Sequence, residues 1–151
     1  MFGGLLYIMQ EIKVNNIIIG KQYKSSENYE EFIKIVKEKK INVKIVEGGE
    51  KVSIEDNLYF DIIWPFSDNM ISDNSINNNS LVCKLNYKKF SMLFTGDIEE
   101  IAEKSILQRY SKKELNSIVL KVAHHRFKNI INKRFFRCGK AAICINWGRK
   151  R

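Results

Sequence analysis

The sequence predicts an α/β fold in which a mixed sheet carries flanking helices. Three observations lead there. Short apolar runs of strand length alternate with longer segments whose apolar residues recur at helical spacing. Polar stretches rich in Asn, Ser and Gly separate them. No segment repeats another at a fixed period, which sets aside solenoids and propellers.

Asn16-Ile17-Ile18-Ile19-Gly20 is a short apolar run closed by Gly, the pattern of a buried strand. Ser25-Ser26-Glu27 then offers hydroxyl caps for a helix running to about Lys40. On it Tyr29, Phe32, Ile33 and Val36 share one face, with Lys34, Lys37 and Glu38 outside. Asn42–Val46 alternates as a strand and ends near Gly48-Gly49, and Leu58–Trp64 is a strand stopped by the one proline, Pro65. The span 67–79 is polar and predicts a loop. Residues 80–87 and 90–94 predict a hairpin turning at Lys88-Lys89. Residues 97–107 predict an amphipathic helix with Ile98, Ile101, Ala102 and Ile106 on its inner side. Its acidic start, Asp97, Glu99 and Glu100, suits the positive end of the helix dipole. Residues 118–122 predict a last apolar strand.

At 151 residues the chain is one domain's worth. Its net charge of +9 invites a nucleic-acid reading, but the charge is unevenly spread. Nine of the 26 basic residues and none of the 17 acidic ones fall after His125. The body is therefore neutral and the basicity belongs to residues 126–151. Three cysteines, Cys83, Cys138 and Cys144, are too few and too scattered for a disulfide framework or a zinc knuckle. No apolar run approaches the roughly 18 residues that a membrane span needs, and Met1 to Met9 lacks the basic start of a signal peptide. The expected setting is soluble and cytoplasmic.

Two strand ends carry the chemistry. The strand through Phe94 ends in Thr95-Gly96-Asp97, a tight turn presenting one carboxylate. The strand through Val122 ends in Ala123-His124-His125. A carboxylate and imidazoles at neighbouring strand ends are the donor types of a Zn²⁺ or Mn²⁺ site. Each has a plainer reading as well: Asp97 as a helix N-cap, the histidines as a surface pair, and Asn77-Asn78-Asn79 as an ordinary polar loop.

Together, Asn77-Asn78-Asn79-Ser80-Leu81-Val82, Leu93-Phe94-Thr95-Gly96-Asp97-Ile98-Glu99 and Leu120-Lys121-Val122-Ala123-His124-His125 resemble the second half of a metallo-β-lactamase-fold hydrolase. The likeness is to the soluble domain of competence (DNA-uptake) proteins of the ComEC type, over roughly residues 3–125. It implies an incomplete αββα sandwich in residues 1–125. It also implies that Asp97 bridges two metal ions, with His124 or His125 as a further ligand and Asn79 and Ser80 at the rim of the site. The implied reaction is attack of metal-bound hydroxide on a phosphodiester or related ester, and the implied cofactor is zinc or manganese.

Two departures shape the expectation. The family's His-x-His-x-Asp-His motif is absent, and Gly3-Gly4-Leu5 stands where the family continues after it. One Asp and two His give at most three donors, too few for a closed site. Further, the family follows His-His with Gly-Ser-Lys-Thr-Ser, whereas this chain has Arg126-Phe127-Lys128-Asn129-Ile130. Permitted codons for residues 126–134, read one base later, encode Gly-Ser-Lys-Thr-Ser-Ser-Ile-Lys. The expectation is a truncated domain, inactive alone, followed by an out-of-frame basic tail. Two alternatives stand beside it. In one, residues 126–151 bind nucleic acid, with Phe127, Phe135, Phe136 and Trp147 as stacking groups. In the other, the chain is half of a split hydrolase whose missing N-terminal half supplies the remaining ligands.

Overall fold

The computed structural model describes residues 3–21, 27–123 and 141–145. It is mixed α/β, as the sequence predicts. The chain forms two compact units, residues 1–46 and 47–151.

The first unit contains helix α1 (Gly3–Glu11), strand β1 (Asn16–Gly20), helix α2 (Glu27–Glu38) and strand β2 (Asn42–Val46). β1 and β2 pair in parallel from Asn16↔Asn42 to Gly20↔Val46. A parallel pair needs a long crossover, and α2 supplies it. Its core joins Leu6 and Met9 of α1 to Phe32 and Ile35 of α2 and to Ile41. Ile35 is thus a core residue that the predicted stripe omits, while Tyr29, Ile33 and Val36 flank it partly buried. The expected hydroxyl caps, Ser25 and Ser26, lie outside the described residues.

The second unit is built on a six-stranded sheet ordered β3-β4-β5-β6-β7-β8. Its strands are β3 (Lys51–Glu55), β4 (Leu58–Trp64), β5 (Val82–Tyr87), β6 (Phe90–Phe94), β7 (Val119–Lys121) and β8 (Ile143–Ile145). β3 through β6 pair antiparallel. β6, β7 and β8 pair in parallel, with Phe94↔Lys121 and Lys121↔Ile145 in register. Between strands lie α3 (Ser75–Asn78), α4 (Glu100–Arg109) and α5 (Lys112–Leu115).

Alternation along a strand gives the sheet two faces. One face, through Ile63, Val82, Leu93 and Leu120, packs against Ala102 and Ile106 of α4 and Leu115 of α5. The other carries Phe60, Leu85, Tyr87, Phe90, Met92 and Phe94, none of which belongs to that core cluster. Tyr87 and Phe90 at the hairpin end are each 39% exposed.

Two predictions about the α4 region need correction. The helix begins at Glu100, so Asp97 and Ile98 precede it. Counted from there, Ala102, Glu103 and Ile106 face inward and Ile101 is exposed. In the tail, Ile143–Ile145 form a strand of the sheet. Residues 124–140 and 146–151 lie outside the described residues, and with them most of the tail expected to be out of frame.

Candidate functional site

Parallel strands converge their carboxyl ends on one edge, where α/β proteins most often place a site. Here β6 and β7 end side by side. Neighbouring strands lie about 4.8 Å apart, so the segments leaving them emerge together. Thr95-Gly96-Asp97 leaves β6, and Val122-Ala123 leaves β7 toward His124 in sequence. His124 and His125 themselves lie outside the described residues.

The turn carrying Asp97 is pinned from several sides. The Thr95 hydroxyl donates to the Lys121 carbonyl at 2.9 Å. Lys121 Nζ donates back to the Gly96 carbonyl at 3.4 Å. Gly96 has φ +57°, a conformation costly for residues with a Cβ. A Cβ there would also come within 2.7 Å of Ser80 Cβ and 3.1 Å of the Leu81 carbonyl. Glycine therefore lets the turn lie flat against the start of β5.

Asp97 is half-buried. Among the described residues its carboxylate accepts no hydrogen bond and meets no cation. It is not the cap of α4, since Glu99 holds the N-cap position. Among the described residues its oxygen lone pairs are therefore uncommitted.

The other residues singled out from the sequence behave differently. Asn79 is buried, and its amide is spent on the backbone. Oδ1 accepts from the Ile71 N–H at 2.9 Å, and Nδ2 donates to the carbonyls of Ile71 and Ser75, each at 2.7 Å. Ser80 is buried under Gly96 and directs its hydroxyl to the Ile76 carbonyl at 3.4 Å. Both build the loop beside the Asp97 turn.

Sequence reasoning passed over three residues here: Asn78, Glu99 and Lys121. Asn78 is fully buried. It accepts the Glu99 N–H on Oδ1 at 3.0 Å and donates through Nδ2 to Glu99 Oε2 at 3.2 Å. Its carbonyl accepts the Trp64 indole N–H at 2.7 Å. Asn74 donates to the other Glu99 oxygen at 2.7 Å. Nothing in a run of three asparagines distinguishes the middle one, and Glu99 resembles any acid at a helix start. Lys121 offered a signal in its position, a cation on the last residue of a strand leading to His-His.

As a metal site the described part is one donor deep. Among the described residues no three His, Cys, Asp or Glu side chains gather as a metal-binding group. Asp97 fits one donor position, being an open carboxylate at converging strand ends. Also among the described residues, no helix is long and apolar enough to cross a membrane.

No protein-family model matches the chain. It is 27% identical over 128 residues to ComE operon protein 3 of Bacillus subtilis (strain 168), a match covering 85% of this chain. The chain spans only 16% of that relative's length.

Proposed function

We propose that this chain is part of a metal-dependent hydrolase of the metallo-β-lactamase fold that acts on a phosphodiester, in a DNA-uptake setting. The observation carrying the reading is the Asp97 carboxylate, uncommitted among the described residues at the carboxyl end of β6 beside the strand that leads to His124. The likeness to ComE operon protein 3 supports the setting. The apolar sheet face bearing Phe60, Leu85 and Met92 supports the half-sandwich, because the second sheet of such a fold would pack there.

In this reading Asp97 and one of His124 and His125 hold zinc or manganese. The metal, when bound, supplies Lewis acidity and activates water. Asp97 contributes an anionic oxygen from the turn, and Lys121 adds a cation at the same edge, suited to a phosphate. The 151 residues contain no His-x-His-x-Asp-His, so a further segment or a partner chain supplies the other donors. Alone, the chain is inactive.

The test is elemental analysis and Mn²⁺ titration of the chain, with and without a polypeptide bearing that motif. Roughly two ions per complex, lost in Asp97→Asn, is the expected result. No metal uptake with such a partner, or full uptake by Asp97→Asn, refutes the proposal.

A further inference from the structure

We propose that Asn78 and Glu99 are positioning residues for Asp97, forming a clamp that fixes the Thr95-Gly96-Asp97 turn from its far side; this rests on the reading of Asp97 as a metal donor. A donor side chain must be held within about 0.5 Å of its working geometry by groups that are themselves locked. The Lys121 contacts hold the turn where it leaves β6. Beyond Asp97 the chain would be free to swing, but the next residue but one is seized.

The clamp is reciprocal. Asn78 Oδ1 receives the Glu99 backbone N–H, and Asn78 Nδ2 returns a hydrogen bond to Glu99 Oε2. The second Nδ2 proton goes to the Asp73 carbonyl at 3.0 Å, which leaves the Asn78 amide fully used. Asn74 fills the remaining Glu99 oxygen. The base of the clamp is rigid in turn. The Trp64 indole, itself fully buried, ties the Asn78 carbonyl to the end of β4, and Asn79 binds the same loop back on Ile71. A carboxylate facing two amides has one favourable arrangement of donors and acceptors. Exchanging which side donates preserves it, whereas changing one side alone opposes two groups of the same kind.

That exchange is the test, made on the full chain. Asn78→Asp opposes two carboxylates and should open the clamp. Asn78→Asp with Glu99→Gln restores a donor opposite an acceptor across the clamp, while the hydrogen bond to the Asp73 carbonyl is lost alike in both variants. Backbone ¹⁵N relaxation at Gly96 and Asp97 reads the turn directly, without metal. Order parameters should fall from about 0.85 to below about 0.6 in Asn78→Asp. Amides of β5 and β6 should stay rigid, and the double variant should regain rigidity at the turn relative to Asn78→Asp, the two sharing the loss of the Asp73 contact. Should Asn78→Asp not fold, Glu99→Gln alone takes its place, since its single carbonyl oxygen cannot accept from both Asn78 and Asn74. An unchanged turn in Asn78→Asp, or a double variant whose turn is no more rigid than that of Asn78→Asp, overturns the proposal. A Mn²⁺ titration of the same proteins, complemented as above, should show binding weakened about 10- to 100-fold by the single change. Absence of Mn²⁺ binding by the complemented wild type refutes the metal reading, while the relaxation data still decide the clamp.

Discussion

The hydroxyl of Thr95, at the end of β6, donates to the carbonyl of Lys121, at the end of β7, across 2.9 Å. Thr95 is 4% exposed, so this bond ties the ends of the parallel pair with a buried hydroxyl. Valine has the same shape without the donor. Thr95→Val should cost about 1–3 kcal/mol, the usual penalty for leaving a buried group unpaired. Urea unfolding should show a lower midpoint at unchanged slope. A midpoint equal to wild type would mean that the carbonyl finds another partner.

Gly96→Ala meets two obstacles. The left-handed backbone costs an L-residue roughly 1–2 kcal/mol, and the new methyl runs into Ser80. Removing the Ser80 side chain relieves the second obstacle and leaves the first. A double-mutant cycle with Ser80→Gly should therefore give a favourable coupling of about 1 kcal/mol. Zero coupling would place the whole cost in the backbone.

Burial pushes the Cys83 thiol up to about 11 from its ordinary 9.0. Thiolate is the reactive form, so iodoacetamide at pH 8 should spare Cys83 and modify the exposed Cys144. Peptide mass spectrometry resolves the two. The sign for stability follows from linkage. The folded value lies above the unfolded one, so the thiol's contribution is intact below pH 9 and lost as pH rises toward 11. Cys83→Ala should remove that alkaline decline, and equal labelling of both cysteines would contradict the assignment.

The start of α5 is held by a reciprocal cap. Ser111 donates to Glu114 through its hydroxyl at 2.6 Å and its N–H at 2.8 Å, and the Glu114 N–H returns to Ser111 Oγ. The Ser111 hydroxyl and N–H hold the Glu114 carboxyl below its ordinary value, with Lys84 adding to the effect. The folded value is the lower one, so the stabilisation is present above the ordinary carboxylate range and lost as pH falls through the folded value. Ser111→Ala should move the Glu114 titration upward, measured by its side-chain carboxyl ¹³C shift. An unmoved titration would rule out the cap as its cause.

Elements with a sharp apolar pattern were legible from sequence. β1, α2, β2, β4, the β5–β6 hairpin and β7 fall where periodicity put them. The rest lacked such a signal for physical reasons. β3 has one neighbour in the sheet and is mostly exposed, so Lys51-Val52-Ser53-Ile54-Glu55 need not show a buried face. α3 and α5 are single turns, shorter than any periodicity window. α1 opens on two glycines, poor helix formers. Ile98 was counted into the α4 stripe because it is apolar and well spaced, yet it is buried from the turn before the helix. At the candidate site, Asp97 was singled out from its turn, while the roles of Asn78, Asn79 and Glu99 depend on partners up to 25 residues away.

Lys34, Lys37, Lys39 and Lys40 look alike in sequence as one solvated face. The structure separates out Lys39, whose ammonium donates to the carbonyls of Met9 at 2.7 Å and Gln10 at 2.8 Å. Those carbonyls belong to the last turn of α1, where a helix lacks internal acceptor partners and favours positive charge. A nine-residue helix is too short to persist alone in water. Its C-terminal cap is therefore borrowed from the residue just past α2. Fraying of α1 and fraying of the end of α2 become one event, so residues 3–46 should open as a single foldon, with matched hydrogen-exchange protection in both helices.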